Sequence, residues 1–309
     1  MSTANTDYHR PVLPDAGLDL LRIDPAGTYV DATFGGGGHA RRLLSRLTGG
    51  RLFAFDQDAD AARRSADDVF RAGNFTFIEG NFRHLRRYLR LYGVRTVDGI
   101  LADIGVSSHQ FDTAGRGFST RFDGDLDMRM DQTAPRTAAQ VLDTYPEREL
   151  HRVLGQYGEV RNARTLAAAL VRRRIEAPLR TTAELRELLR TYAPRGKEHK
   201  YFAQVFQALR IEVNDELGAL RDLLTESEEV LKPGGRLVVI SYHSLEDRLV
   251  KRYLQRGLFE GEPERDLYGR TTTPFTAITR KPVLPTDEEV AANPRARSAK
   301  LRAGERNPT

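Results

Sequence analysis

The chain has 309 residues, of which 39% are hydrophobic and 29% charged, and its net charge is +5 at neutral pH. This composition excludes a disordered chain, and no apolar run reaches the roughly 18 residues of a membrane-spanning helix. Cysteine is absent, which excludes a disulfide scaffold, a zinc–thiolate site and a cysteine nucleophile, and fits a cytoplasmic location. The length allows one large domain, or one domain carrying a second.

Short runs rich in β-branched and aromatic residues alternate with amphipathic stretches in the first third of the chain. This alternation predicts an α/β fold with a parallel, doubly wound sheet. The predicted strands are 28–33, 51–58, 75–81, 97–105 and 236–243, the edge-strand candidates are 276–280 and 282–284, and the predicted helices are 39–47 and 59–70.

About 130 residues separate the fourth and fifth predicted strands, far more than one crossover helix needs. Thr181 and Glu184 form the sequence pattern of a capping box, which opens a helix. Apolar residues recur at helical spacing further on, at Phe202, Phe206, Leu209, Val213 and Leu217. The pattern predicts a helical domain at 110–215, inserted into a sheet domain formed by 1–109 and 216–309.

A glycine run at 35–38 lies where the first strand turns into its helix. Glycines at such a turn let the backbone adopt positive φ and approach a ligand closely. The dinucleotide fingerprint is only partly met, since Gly36 and Gly38 would require glycine where the chain has Arg41, and no Gly-Lys-Ser/Thr follows. The run therefore fits nicotinamide enzymes and methyltransferases, and the missing third glycine favours the latter.

Acidic residues stand at the predicted ends of two strands. Asp56, 20 residues after Gly36, suits the paired hydroxyls of an adenosine ribose; Asp58 competes with it but is better placed as the N-cap of the next helix. Asp103 ends the fourth strand, at the edge where open α/β sheets bind ligands. Phe82 follows the third strand and either packs against adenine or belongs to the core.

The acidic run 123–131 has the alternating carboxylates of a calcium loop. An EF-hand needs glycine at the sixth position and glutamate at the twelfth, where this chain has Met128 and Ala134. We therefore predict no calcium site there, and no metal site elsewhere.

His243 follows the fifth predicted strand, and Ser244 with Asp247 predicts a capping box for the helix after it. His243 would then lie at the same sheet edge as Asp103. No Gly-x-Ser-x-Gly elbow supports a hydrolase triad around it.

Basic residues concentrate in three stretches. Residues 161–200 hold eleven Lys/Arg against four Glu, 83–95 hold five Arg and no acid, and 293–306 hold five Lys/Arg against Glu305. These stretches indicate either a polyanionic partner or a set of solvated helix faces. We take Arg172, Arg173 and Arg174 as candidate contacts to RNA phosphates, although three successive helical positions cannot all face one way.

These segments together resemble the RsmH (MraW) family of bacterial 16S rRNA cytidine N4-methyltransferases. The resemblance runs over nearly the whole chain. The matching stretches are HRPVL (9–13), DATFGGGGH (31–39), FDQD (55–58), GNF (80–82), DGILADIGVSSHQFD (98–112), RGFS (116–119), LDMRMD (126–131), FQALRIEVNDEL (206–217), HSLEDR (243–248) and NPRARSAKLR (293–302).

The resemblance implies a class I (Rossmann-like) methyltransferase sheet with an inserted helical domain for substrate recognition. It also implies S-adenosylmethionine as cofactor, and as substrate a cytidine of 16S rRNA within the small ribosomal subunit. The implied cofactor contacts are Gly36, Gly37, Gly38, His39, Asp56, Phe82, Asp103 and Gln110. Departures from the family pattern are Ile104 for Leu, Tyr242 for Phe and Val160 for Glu, and the last makes RNA contact at that point an open question.

Asp103 is our candidate catalytic residue. The cytosine amino group is a poor nucleophile, and a hydrogen-bond acceptor on its N–H would orient it and disperse the positive charge that develops on attack. Such a base must first be unstacked, which favours single-stranded or strained RNA. The residues also leave open a methyltransferase of DNA or protein, a nicotinamide oxidoreductase and a non-enzymatic RNA-binding factor, and they leave the oligomeric state open, a homodimer included.

Overall fold

The computed structural model describes residues 11–71, 73–263 and 271–308, so His9 and Arg10 of the first matching stretch lie outside the described residues. The chain divides into a sheet unit, Met1–Gly105 with Leu217–Thr309, and a helical unit, Val106–Glu216. Among the described residues, no helix is both long enough and apolar enough to cross a membrane.

The sheet unit contains seven strands in the order β3-β2-β1-β4-β5-β7-β6. Neighbours from β3 to β5 pair in parallel, whereas β7 runs antiparallel to both β5 and β6. This order, with a reversed β7, is that of class I methyltransferases, and the predicted fold class is confirmed. The strands are β1 Thr28–Asp31, β2 Arg51–Asp56, β3 Phe75–Glu79, β4 Val97–Asp103, β5 Leu231–Ser241, β6 Phe275–Ala277 and β7 Lys300–Arg306.

The central strands are buried on both faces, because consecutive side chains point to opposite sides of the sheet. Val30 and Ile100 belong to the core on one side, whereas Tyr29 and Leu101 belong to the core on the other. Consecutive side chains of β5 also belong alternately to the two cores. Both cores rest on apolar strand residues, which is why these strands read as nearly continuous hydrophobic runs in the sequence.

The helices of the sheet unit connect these strands. Helix α3 ends six residues earlier than predicted, since the backbone tightens into a 3₁₀ turn at Asp68–Phe70. Asp58 is the N-cap of α3 and accepts the Asp60 N–H at 3.0 Å, which confirms the predicted cap. The helices are α1 Pro14–Leu21, α2 Gly38–Leu44, α3 Ala59–Arg64, α4 Leu85–Leu91, α11 Glu216–Val230, α12 Ser244–Arg256 and α13 Asp287–Ala292.

The helical unit has its own core, built around Leu166, Leu185 and Leu209. Thr181 and Glu184 form the predicted capping box, in which each side chain bonds the backbone of the other residue. The helices of this unit are α5 Ser108–Asp112, α6 Ala138–Thr144, α7 Glu147–Gln156, α8 Ala163–Glu176, α9 Thr182–Tyr192 and α10 Glu198–Asn214.

Leu217 was predicted to continue the apolar stripe of α10, and this prediction is wrong. Asp215 adopts the left-handed conformation, with φ 47°, and its N–H bonds back to the Ile211 carbonyl. That geometry ends α10 and starts α11, so Leu217 lies on a different helix.

The second half of the basic stretch 293–306 is strand β7 rather than a solvated helix face. Arg302 is 5% exposed and its Nε lies 2.6 Å from the Asp247 carboxylate, while Arg306 donates to the Glu228 carbonyl at 2.8 Å. The edge prediction at 276–280 overlaps β6. The one at 282–284 is wrong as a strand, because its pairing is a single bridge between Val283 and Leu301 of β7.

Candidate active site

Three neighbouring strands of the sheet unit each end in an aspartate. Asp56 closes β2, Asp31 closes β1 and Asp103 closes β4, and these strands lie side by side. Because the strands are parallel, their carboxyl ends meet at one edge, the usual ligand edge of an open α/β sheet. Asp56 and Asp103 are predicted from the sequence as strand-end acids, whereas Asp31 is not, because it lies inside the run 28–33 that predicts the first strand.

Asp31 is a buried acid with an unused oxygen. The residue is 1% exposed; Oδ1 accepts the Thr33 N–H at 3.1 Å, and Oδ2 has no hydrogen-bond partner among the described residues. Burial raises the pKa of Asp31 well above its ordinary value, and the nearby charges of Asp103 and Asp56 raise it further. A cationic or hydrogen-bond-donating ligand at this edge would give Oδ2 a partner and would stabilise the ionised form of Asp31.

The glycine turn runs between β1 and α2. Gly37 has φ 75° and donates its N–H to the Phe34 carbonyl at 2.7 Å. A Cβ at Gly37 would lie 2.7 Å from the Phe70 ring, so a side chain is excluded on steric as well as conformational grounds. Position 37 of the turn therefore requires glycine, and the turn lies at the acidic edge, since the Gly35 N–H donates to the Asp56 carboxylate.

Asp56 is tied to this turn by two backbone hydrogen bonds. Its Oδ2 accepts the Gly35 N–H at 2.7 Å and its Oδ1 accepts the Asp58 N–H at 2.9 Å. The carboxylate, which also accepts a hydrogen bond from the Gln57 backbone, is an acceptor to which neighbouring ribose hydroxyls can donate. Burial raises the pKa of Asp56 to about 6, so the group is ionised above that pH.

Phe82 lies on the chain segment that follows β3 past the Asp56 strand end. Gly80 donates its N–H to the Asp56 carbonyl at 2.8 Å, and the Asn81 amide donates to the Gln57 side-chain oxygen at 2.9 Å. Phe82 itself is partly buried against the core of the sheet unit. Both roles considered for this ring, contact with adenine and core packing, are compatible with that position.

Asp103 lies between a phenol and an imidazole. The Tyr242 hydroxyl donates to Asp103 Oδ1 at 2.7 Å, and His39 Nδ1 lies 3.7 Å from Asp103 Oδ2. Burial raises the pKa of Asp103 to about 7; the Tyr242 hydrogen bond lowers it, and the charge of Glu246 raises it. The carboxyl therefore changes its protonation state around neutral pH.

His39 is neutral and its tautomer follows from its contacts. Burial lowers the pKa of His39 to about 4. Nε2 lies 3.1 Å from the Val12 carbonyl, which can only accept, so Nε2 carries the proton and Nδ1 carries a lone pair. His39 Nδ1 and Asp103 Oδ2 are thus two acceptors that face one another, and one nitrogen can lie about 2.9 Å from both.

His243 caps a helix, one residue earlier than predicted. The capping box of α12 pairs His243 with Glu246, and the prediction of Ser244 with Asp247 is wrong. Glu246 is 1% exposed, and its Oε2 accepts the N–H groups of Tyr242 and His243 at 2.8 and 3.2 Å. Asp247 instead binds Arg302, a partner that comes from β7.

Gln110, the remaining residue of the predicted cofactor set, belongs to the helical unit. It is 5% exposed and closes a capping box with Ser107, whose N–H donates to Gln110 Oε1 at 2.9 Å. The structure therefore brings Gly36, Gly37, Gly38, His39, Asp56 and Asp103 to one edge of the sheet unit. It shows Gln110 as the capping-box partner of Ser107, the N-cap of α5 in the helical unit.

The model of the MraW methylase family matches residues 6–307. The chain belongs to this family. It is similar to proteins named ribosomal RNA small subunit methyltransferase H from Cytophaga hutchinsonii, with 59% identity over 97% of this chain and 99% of that protein, and from Amoebophilus asiaticus, with 52% identity over 99% and 98%. The corresponding Flavobacterium johnsoniae protein is 53% identical over 98% of this chain and 99% of its own length.

As a member of the MraW methylase family, the chain is a methyltransferase whose cofactor is S-adenosylmethionine. The residues at the sheet edge fit that cofactor. It carries a ribose diol and two cationic groups, and the edge offers three aspartates, one of them with an unpartnered buried oxygen, beside a turn that excludes side chains.

Proposed function

We propose that this protein methylates the N4 amino group of a cytidine in 16S rRNA within the small ribosomal subunit. The observation that carries the proposal is the full-length similarity to proteins named as small-subunit rRNA methyltransferases, combined with an acidic sheet edge suited to their cofactor. The S-adenosylmethionine sulfonium supplies an activated methyl group, so the protein needs to supply orientation and to exclude water.

Asp56 is the proposed anchor of the cofactor ribose. Backbone N–H groups of Gly35, Gln57 and Asp58 hold its carboxylate in place, facing the edge where the cofactor would bind. Gly36, Gly37 and Gly38 supply backbone close to that anchor, Phe82 is the proposed neighbour of the adenine ring, and Gln110 is a proposed contact from the helical unit. Asp31 adds a buried acceptor oxygen for the cationic end of the cofactor.

Asp103 and His39 are the proposed acceptors of the cytosine amino group. That group has two N–H bonds, and the two acceptors, Asp103 Oδ2 and His39 Nδ1, lie 3.7 Å apart. Bonding to both would fix the orientation of the amino nitrogen toward the methyl group. Asp103 Oδ2 can then take the proton that the nitrogen releases once the N–C bond has formed.

A second role for Asp103 is to bind the amino group of the cofactor's methionine end. The same acceptor pair would suit it, because an ammonium also donates several N–H bonds. The two roles differ in whether loss of the charge affects the chemical step or cofactor affinity.

In the helical unit, only one arginine of the triplet 172–174 remains a proposed RNA contact. Arg174 donates to the Leu142 and Tyr145 carbonyls at 3.1 and 2.7 Å, and Arg173 bonds the Ala177 carbonyl at its own helix end. Arg172 is exposed and lies two turns from Arg164, which is exposed on the same side of α8. We therefore assign phosphate contact to Arg164 and Arg172.

Charge reversal at these two positions, Arg164→Glu with Arg172→Glu, should weaken RNA binding and flatten its salt dependence. Each lost phosphate contact on single-stranded RNA lowers the salt slope by about 0.7, so we expect a decrease of about 1.4 in filter-binding titrations. Cofactor affinity should not change. The control, Lys251→Glu with Arg280→Glu, changes the net charge equally at exposed positions of the sheet unit outside the three basic stretches; an equal decrease in the control would assign the effect to net charge.

Mass spectrometry of 16S rRNA from cells with and without the gene tests the function itself. We expect one cytidine to lose about 14 mass units when the gene is deleted, the difference between a methyl group and the hydrogen that it replaces. Methyl incorporation by the purified protein into naked 16S rRNA and into small subunits then separates the two substrates. Incorporation into DNA or protein but not into rRNA would refute the proposal.

A further inference from the structure

Tyr242 directly follows β5 and is not among the residues proposed to contact the cofactor or the cytosine. Its hydroxyl lies 2.7 Å from Asp103 Oδ1, and both residues belong to the sheet unit. We propose that Tyr242 is a positioning residue: by occupying Asp103 Oδ1, it directs Oδ2 toward His39 and holds the carboxylate ready to accept an amino group. This inference rests on the proposed catalytic role of Asp103.

The backbone and ring of Tyr242 are fixed from two sides. Its N–H donates to Glu246 Oε2 at 2.8 Å, and Glu246 is itself held in the capping box of α12. The ring packs against the core of the sheet unit and lies beside the turn at Gly105, where an added Cβ would stand 3.5 Å from ring atom Cδ2. Gly105 has φ 127°, a conformation that glycine favours. The hydroxyl therefore has little freedom to leave Asp103.

The direction of the hydrogen bond follows from charge. Burial and the negative charge of Asp103 raise the pKa of Tyr242 well above its ordinary value, so the phenol keeps its proton and donates. A phenol–carboxylate bond is charge-assisted, and therefore stronger and more directional than a neutral one. With Oδ1 engaged, Oδ2 is the oxygen that faces His39 Nδ1.

The other groups around Asp103 do not stabilise its ionised form, so the hydrogen bond from the Tyr242 hydroxyl is important for keeping Asp103 ionised. Glu246 on α12 disfavours ionisation of Asp103, and the neutral His39 on α2 adds no positive charge. Asp31 at the end of β1 is an acid whose own pKa is raised by the charge of Asp103, so it offers no positive charge either. Tyr242 on β5 is the neighbour whose hydrogen bond stabilises the carboxylate. Without it, Asp103 should hold its proton to higher pH and lose its acceptor role at neutral pH.

Tyr242→Phe tests this, because it removes one oxygen and keeps the ring. Titration of the Asp103 carboxyl by carbon NMR in the cofactor-free protein should show the midpoint moving up by about one pH unit, the usual effect of one charge-assisted bond. The pH profile of single-turnover methylation should move in the same direction, with about fivefold slower turnover at pH 7 that recovers at higher pH. Cofactor affinity should change by less than about threefold.

The matched control is Tyr253→Phe, which removes a hydroxyl bonded to Glu228 at 2.9 Å elsewhere in the sheet unit. It should leave the Asp103 midpoint and the pH profile unchanged. A double variant, Asp103→Asn with Tyr242→Phe, should turn over no more slowly than Asp103→Asn alone, since Tyr242 acts through Asp103.

An unchanged Asp103 midpoint in Tyr242→Phe would overturn the role of Tyr242. A further loss in the double variant would do the same, because it would show an effect independent of Asp103. If Asp103→Asn alone kept full turnover, the catalytic role of Asp103 would fall, and with it the role of Tyr242 in catalysis. An inactive Asp103→Asn with an unaltered Tyr242→Phe would refute only the inference about Tyr242.

Discussion

Asp103→Asn should slow single-turnover methylation by about 100-fold or more, the usual size of a general acid–base contribution. Asparagine keeps the size and one acceptor oxygen, but it has no charge to stabilise the cation that develops on the amino nitrogen. Burial raises the pKa of Asp103 to about 7, so wild-type turnover should rise with pH through neutrality, as the carboxylate forms. The variant should lack that rise. Rapid-quench measurements at saturating cofactor report the chemical step directly.

Cofactor affinity separates the two roles of Asp103. If the residue acts in the chemical step, calorimetry should show a change of less than about tenfold in Asp103→Asn. If affinity and turnover fall by the same factor and saturating cofactor restores the rate, Asp103 binds the methionine amino group and is not catalytic. Asp98→Asn is a matched control, because Asp98 lies at the other end of β4 and bonds the Thr28 N–H.

Asp56→Ala should weaken S-adenosylmethionine binding by about tenfold to a few hundredfold. Hydrogen bonds to a charged group contribute about 1.5–3 kcal/mol each, and alanine removes the acceptor of the ribose hydroxyls. Because burial raises the pKa of Asp56 to about 6, wild-type affinity should fall as the pH drops through that value. Titration calorimetry at pH 8 and pH 5.5 measures both effects.

Two further variants show which change causes the loss of cofactor affinity. Asp56→Asn keeps an acceptor for the Gly35 N–H, so it separates a disturbed glycine turn from the missing charge. Asp58→Asn keeps the helix cap, since asparagine caps as well as aspartate, and should bind the cofactor normally. Wild-type affinity in Asp56→Ala, or a larger loss in Asp58→Asn, would move the ribose anchor from Asp56 to Asp58.

The parallel strands could be predicted because their signal is local. Each central strand is buried on both faces, so the hydrophobic run and the strand coincide, and Asp56 and Asp103 mark where burial ends. β7 was missed because its sequence, KLRAGER, is polar and basic. Its arginines are buried only because Asp247 and the Glu228 carbonyl, far away in the chain, pair with them.

The same limit applies to the site. The glycine turn and the terminal acids have spacings that a sequence shows, whereas the bond from Tyr242 to Asp103 joins residues 139 positions apart. The cap of α12 was misplaced by one residue for a similar reason: Asp247 has the right spacing from Ser244 but is engaged by Arg302. Capping patterns predict a helix start, and tertiary partners decide which carboxylate is available to form the cap.

The helical unit is inserted into a single crossover connection, the one that joins the neighbouring parallel strands β4 and β5. α11, from Glu216 to Val230, is the helix that such a crossover needs in any case. Each doubling of a closed loop costs about 0.6 kcal/mol, so a roughly fivefold longer connection costs only about 1.4 kcal/mol. During evolution, a whole folding unit can therefore be gained, lost or exchanged at this point, while the strand ends that carry Asp31, Asp56 and Asp103 stay as they are.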